Sequence, residues 1–309
     1  MFVCRSGDTL RVDAPAKLNL FLEVLERRPD GFHEIETLMV PISLFDTLWL
    51  RPTPHPGIRL QCVWAPGLAL TDAVSYAATT LPAVEENLVY KSLTRLAKAA
   101  DVPHGADVFL VKRIPAAAGL GGASSDAAAA LLAANAAWNL HWSRTQLQEL
   151  AATLGSDIPF FFDGTAAICR GRGEQVERLS AFPRLPLVVV KPPVGLSTPA
   201  VYRGCQVTER PLGVQSLERF AARGDLSGLA GGMKNDLEAA ARAQTPWIQN
   251  LHQVFNELNF IGHQMSGSGS SYFGLCRTTR QARRLAHIVR SRRVGRVMHA
   301  ATFHRPQQA

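Results

Sequence analysis

Apolar residues alternate with other residues near the start of the chain. Leu10 and Val12, then Leu18, Leu20, Leu22 and Val24, repeat at period two and predict a strand over residues 8–26. A second apolar stretch around 38–50, ending in DTLWL, predicts another. Residues 51–82 hold Pro52, Pro54, Pro56, Pro66 and Pro82 and read as loop, with room for a strand at Ile58–Val63. The period changes at 87–100, where Leu88, Leu93, Leu96 and Ala97 share one helical face and Asn87 can cap the helix. A short strand at Ala106–Val111 then runs into a glycine-rich segment, PAAAGLGGASS, at Pro115–Ser125. Alanine-rich Ser124–Trp138 predicts a helix, with Ser124, Ser125 and Asp126 as caps and a negative first turn. Another helix is expected at Arg144–Leu154, ending at Gly155.

The pattern breaks near 165–185, at GRGEQVERL and PRLP, which places a domain boundary there and divides the chain into 1–170 and 171–309. Beyond it, Pro186–Val190 reads as strand and 192–195 as turn. Helices are expected at 214–222, 235–244 and 247–258. Residues 260–276 read as strand, Gly/Ser turn, strand. A basic helix at 279–291 precedes a last strand near 294–303. Helices mixed with antiparallel-type strands give α+β for both halves.

Composition adds limits. Hydrophobic residues are 47% of the chain and charged residues 19%, enough apolar side chain for a core and unlike a disordered protein. Five cysteines without CxxC spacing fit reduced thiols rather than a disulfide frame or zinc site. No apolar run approaches the roughly 18–20 residues of a membrane span, and the charged N-terminus is unlike a signal peptide, so cytoplasm is the expected compartment. The net charge of +8 owes much to Arg277, Arg280, Arg283, Arg284, Arg290, Arg292, Arg293, Arg296 and Arg305. With no aromatic residues interleaved to stack on bases, that run reads as a solvated helix face, and neither nucleic acid nor membrane is an expected partner.

Gly119, Gly121 and Gly122 lie between a strand and a helix, where backbone N–H groups and a helix N-terminus can cradle an anion. No Lys-Ser/Thr follows, so this is not a Walker A loop. Ser124 stands where a dinucleotide fingerprint needs its third glycine, and no βαβ unit surrounds it. On these residues alone, an ordinary glycine turn before a helix stays open. Lys17 and Asn19, two apart on a strand, face one side. An ammonium buried there needs a partner, and the alternative is an edge lysine reaching solvent. Asp157, before Pro159 and Phe160–Phe162, lies in apolar company and could equally cap a turn.

Pro115-x-x-x-Gly-Leu-Gly-Gly-x-Ser-Ser resembles the phosphate loop of the GHMP kinases, the group of galactokinase, homoserine kinase, mevalonate kinase and phosphomevalonate kinase. Within that group, APAKLNLFL at 14–22, DGFHEIETL at 30–38, GSDIPF at 155–160 and MSGSGSS at 265–271 resemble members that act on cytidine diphosphate-linked methylerythritol. The resemblance implies a two-domain fold, with a ribosomal-protein-like β-α-β N-terminal domain and a ferredoxin-like C-terminal domain. It also implies ATP, a nucleotide-bound Mg²⁺ touched by Ser125 or Asp126, and a chain acting as a monomer or weak homodimer. ATP would meet Pro115, Ala116, Ala117, Ala118, Gly119, Leu120, Gly121, Gly122, Ala123, Ser124 and Ser125. Asn87 and Lys112 fall in the adenine-contacting segments, though a helix cap and an exposed strand end explain them equally well. Asp157 would be general base for the substrate hydroxyl beside Lys17, with Asn19 on the substrate. Phe32 would stack on the cytidine and His33 hydrogen-bond it. Many members carry Tyr at the position of Phe32. Asn235 and Asp236 match a recurrent segment to which no chemistry is assigned. A kinase for another small alcohol, such as mevalonate or homoserine, is the alternative.

Overall fold

A computed structural model describes residues 1–66, 68 and 81–303, leaving Arg305 and residues 69–80 of the proline-rich loop outside the described residues. The first part holds β1 (Phe2–Ser6), β2 (Thr9–Arg27), β3 (His33–Thr53), β4 (Ile58–Trp64), α1 (Leu88–Ala99), β5 (Gly105–Lys112), α2 (Gly122–Ala137), α3 (Arg144–Ala152), β6 (Ala167–Arg170) and β7 (Gln175–Arg178). It continues through β8 (Pro186–Lys191), α4 (Thr198–Arg203), α5 (Gln215–Arg223), α6 (Leu226–Gly231), β9 (Lys234–Asn235), α7 (Leu237–Gln244) and α8 (Pro246–Asn256). The chain closes with β10 (Gly262–Met265), β11 (Tyr272–Leu275), α9 (Thr279–Ser291) and β12 (Arg296–Ala301). One sheet runs β1-β2-β3-β5-β4, with β6 and β9 joined to β3 and β2; the other runs β10-β11-β8-β12.

β2 and β3 form the spine. Over Thr9–Ala14 β2 keeps strict alternation, with Leu10 and Val12 buried against α1 and α2 and Arg11 exposed. From Ala16 the alternation disappears, because the strand is covered on both faces and a register shift between Asn19 and Phe21 turns extra side chains inward. Leu18, Leu20 and Phe21 there pack with Leu187, Val189 and Phe273 of the second sheet. β9 adds to this junction by pairing parallel to β2.

Asn87 caps α1 as its sequence suggests, its side chain accepting a hydrogen bond from Val89 N–H. α2 departs from expectation. It begins at Gly122, its cap is Gly121 at φ 68°, and Ser125 and Asp126 are buried inside the helix instead of capping it. Left-handed backbone, available to glycine at little cost, ends the loop two residues earlier than side-chain caps would. The irregular stretch near 165–185 contains a hairpin, β6 and β7, tied to β3. α4, α6 and β9 are too short to leave a periodic signature. α9 behaves as expected: Ala282, Leu285, Ala286 and Val289 are buried, while Arg280, Arg283, Arg284 and Arg290 face solvent.

Candidate active site

The chain leaves β5 at Lys112, loops through Pro115–Leu120 and enters α2, placing the helix N-terminus over a cleft of about 390 Å³. Three contacts hold this loop. Leu120 C=O accepts from Lys17 N–H at 2.9 Å, Ala118 C=O from Ser271 N–H at 3.0 Å, and Gly119 C=O from the Ser266 hydroxyl at 3.0 Å. At Gly119 a Cβ would lie 2.2 Å from Ser266 O, so the glycine loop and the 265–271 segment approach backbone to backbone.

Lys17 forms the floor. Its side chain is 5% exposed, and its Nζ lies 3.5 Å from Asp157 Oδ2, whose side chain is 34% exposed toward the cleft. The same ammonium donates to Asn19 Oδ1 at 2.6 Å. Asn19 Nδ2 donates to Thr37 Oγ1 at 2.8 Å, and the Thr37 hydroxyl donates to Phe21 C=O at 2.6 Å. This chain of donors fixes which way Asn19 points and leaves Lys17 aimed at the carboxylate. Lys17 and Asn19 share a face because they are two apart on β2, and the register shift comes only after Asn19.

Beneath the loop lies a second buried charge cluster. Lys112 donates to both Asp46 and Asp126, and Asp46 Oδ1 also accepts from the backbone N–H of Arg113 and, at 2.8 Å, of Ile114. Lys112 is therefore no exposed strand end: it is 8% exposed and held between two carboxylates while lining the cleft. Burial by itself would lower its ammonium, but Asp126 and Asp46 outweigh that and hold it above the ordinary lysine range. Burial pushes the Asp126 carboxyl up, against the pull of Lys112. Asp126 falls just past the first turn of α2, which carries no acid as the helix begins at Gly122. Ser125 Oγ and Asp126 Oδ1 are buried without a hydrogen-bond partner, so the start of α2 fits a bound cation.

The opposite wall gathers Arg172, Tyr202 and Gly267–Gly269. Phe32 and His33 stand behind that wall, outside the lining. The Arg172 guanidinium lies 4.8 Å from the Phe32 ring centroid, and the His33 ring is 5.2 Å from that of Tyr202. Phe32 is 50% exposed, which leaves a face free for stacking. Burial, reinforced by Arg27, keeps the His33 imidazole below its usual range, so it stays neutral and able to accept as well as donate.

Asn235 and Asp236 acquire a structural meaning. Asn235 Nδ2 donates to Met265 C=O at 2.8 Å and Gly267 C=O at 2.9 Å, and Asp236 Oδ2 accepts from Val24 N–H at 2.9 Å. They pin the 265–271 segment to β2.

Family models for the GHMP kinases N terminal domain and the GHMP kinases C terminal match residues 87–165 and 216–294. Over 275 residues the chain is 42% identical to 4-diphosphocytidyl-2-C-methyl-D-erythritol kinase of Pelotomaculum thermopropionicum, covering 88% of this chain and 91% of that one. The chain belongs to the 4-diphosphocytidyl-2-C-methyl-D-erythritol kinase family of GHMP kinases. A crystal structure of 4-(cytidine 5'-diphospho)-2C-methyl-D-erythritol kinase matches with a TM-score of 0.77 at 37% identity, over 94% of this chain and 98% of that one. The homoserine kinase of Cytophaga hutchinsonii shares the fold, with a TM-score of 0.71 at 18% identity over 99% and 98% of the two chains. The two-domain α+β architecture expected from the resemblance is thus that of this GHMP kinase. For this member of the 4-diphosphocytidyl-2-C-methyl-D-erythritol kinase family, Pro115–Ser124 of the glycine loop, Lys17, Asn19, Asn87, Lys112 and Asp157 converge on one cleft, whereas Ser125 is fully buried outside its lining. Asp46, Thr37, Arg172 and Tyr202 escaped the sequence reading. Only Asp46 left a trace there, as an acid inside an apolar strand.

Proposed function

We propose that the chain transfers the γ-phosphoryl group of ATP to the 2-hydroxyl of 4-diphosphocytidyl-2-C-methyl-D-erythritol, in non-mevalonate isoprenoid biosynthesis. The observation that carries this reading is the pairing of Lys17 with Asp157 at 3.5 Å in the same cleft as the glycine loop. The loop amides and the N-terminus of α2 would hold the triphosphate, with Asn87 and Lys112 at the nucleoside end. Ser125 and Asp126 would hold the nucleotide's Mg²⁺, which when bound offsets phosphate charge. Asp157, partly open to the cleft, accepts the proton of the attacking hydroxyl, while the Lys17 ammonium orients that carboxylate and steadies the negative charge developing on the oxygen. The phosphorus–oxygen bond to ADP breaks as the bond to the substrate oxygen forms, and Asp157 passes its proton to solvent.

Specificity rests on the rim. A small alcohol such as mevalonate or homoserine has no use for an aromatic and cationic wall, whereas Arg172 and Tyr202 in the lining, with Phe32 and His33 behind them, would suit a cytidine diphosphate. Coupled ADP release with each alcohol tests this. Turnover of mevalonate with none of the cytidylyl compound would overturn the assignment. Asp157→Asn is expected to bind ATP nearly as before while turnover drops by roughly 10²–10⁴, the scale of general-base catalysis. Undiminished turnover in that variant refutes the role of Asp157.

A further inference from the structure

Asp46 is fully buried near the end of β3's central segment, away from the reacting groups, and nothing in the proposed phosphoryl transfer uses it. A buried carboxylate needs several donors to offset its lost hydration. Among the described residues three N–H donors reach Asp46, all within three consecutive residues, the Lys112 ammonium and the N–H groups of Arg113 and Ile114, and the Asp126 carboxyl lies against it as well. Those residues are the last of β5 and the first of the connection to Pro115. One side chain thus grips the strand end and the mouth of the phosphate loop together. Oδ1 takes the two amides and Oδ2 the ammonium.

The geometry points to Asp46 as the positioning residue of the nucleotide half of the cleft, setting both the angle at which β5 enters the phosphate loop and the placement of Lys112. Lys112 is the intermediary. It lines the cleft, its Nζ lies 3.4 Å from where a Cβ on Gly122 would be, and its other partner is Asp126 near the start of α2. With Asp46 in place the ammonium sits between two carboxylates and bridges β3 to α2. Without that charge it is drawn wholly to Asp126, and the two amides lose their anionic acceptor. The substrate alcohol's side of the cleft, at Asp157 and Arg172, has no contact with this network among the described residues. The effect therefore falls on ATP and not on the cytidylyl compound. A buried ion pair serving stability alone would make no such distinction.

This inference rests on the proposed kinase activity, and its test is arranged so that the two can fail separately. Asp46→Asn keeps an oxygen for the amides and removes the charge from Lys112. It should weaken equilibrium binding of ATP, and raise KM for ATP, by about 10–100-fold, the range for losing a hydrogen bond to a charged group. KM for the cytidylyl substrate should move by less than about threefold, within ordinary context dependence of such contacts. Equal changes in both KM values, or a lowered Tm with ATP binding unchanged, would overturn the inference. If Asp46→Asn does not fold, Asp46→Glu decides: it retains the charge but displaces it by one methylene, and should show the same selective loss for ATP. In the double variant with Lys112→Gln the losses in ATP affinity should be far from additive, and strict additivity also overturns the proposal. Wild-type protein that binds ATP yet leaves the cytidylyl alcohol unphosphorylated would defeat the kinase assignment while the ATP-binding comparison still judges Asp46.

Discussion

Gly119→Ala asks how closely the two glycine segments must approach for the cleft to exist. The residue sits at φ 71°, and an added Cβ would lie 2.2 Å from Ser266 O and 3.0 Å from Gly269 O. Two costs follow. Left-handed backbone disfavours an alanine by about 1–2 kcal/mol. The collision is with backbone oxygen, which no rotamer change relieves, and overpacking of that kind costs about 1–3 kcal/mol. The expected loss is therefore about 2–5 kcal/mol in urea unfolding, obtained from the sum of both effects. Gly224→Ala supplies the control, since Gly224 has φ 65° and an added Cβ there would meet nothing within 4 Å, leaving backbone strain alone. The difference between the two variants isolates the collision. Where the fold absorbs it by parting the loops, the contacts from Ser266 Oγ to Gly119 C=O and from Ser271 N–H to Ala118 C=O lengthen. kcat/KM for ATP should then fall by about 10–100-fold, the penalty for misplacing reacting groups by an ångström or so. Equal destabilisation of the two variants, with steady-state kinetics of Gly119→Ala unchanged, would refute the close approach.

Asn235→Ala removes both bonds that hold the carbonyls of Met265 and Gly267, freeing the segment above Lys17. Its kcat/KM should drop about tenfold or more, since each unsatisfied buried carbonyl costs about 1–3 kcal/mol; full activity at unchanged Tm would show that the pin is dispensable. Lys191, 4% exposed at the end of β8, donates to the carbonyls of Pro192 and Val194, and burial lowers its ammonium from 10.5 to about 8. Between those two values the unfolded chain holds a proton that the folded chain has released, so stability from this group rises with pH through that window and is level below it. The rise should approach on the order of 3 kcal/mol at full titration and vanish in Lys191→Met. Urea midpoints from pH 8 to 10.5 measure it, and matching pH slopes in variant and wild type would contradict it.

Much of the secondary structure was legible because it depends on neighbours in sequence. The cap at Asn87, the amphipathic α9 and the long strand beginning near residue 9 follow from periodicity and from one side chain's reach. The glycine loop was legible as a glycine-rich turn between a strand and a helix, and the resemblance carried by four short segments pointed to Lys17 and Asp157 as a pair. Where α2 begins was not, since Ser124, Ser125 and Asp126 look like caps until Gly121 takes a left-handed conformation and buries two of them. Lys112 illustrates the same limit. At the end of an apolar strand its charge suggests exposure, and only the pairing of β3 with β5 shows that Asp46 stands beside it.

Local chemistry thus determined the elements and the kinds of group available: a glycine-rich loop, a lysine, a carboxylate. Tertiary structure decided which of them meet. Lys17 and Asp157 are 140 positions apart, and Asn235 reaches the 265–271 segment from a strand of two residues. The same holds for Arg172 against Phe32 and Tyr202 against His33. Hydrophobic periodicity records which side of an element is buried, but not what lies across from it. Partners of buried charges are set by strand register and by the docking of the second sheet on β2, and neither quantity is written in any single stretch of the chain.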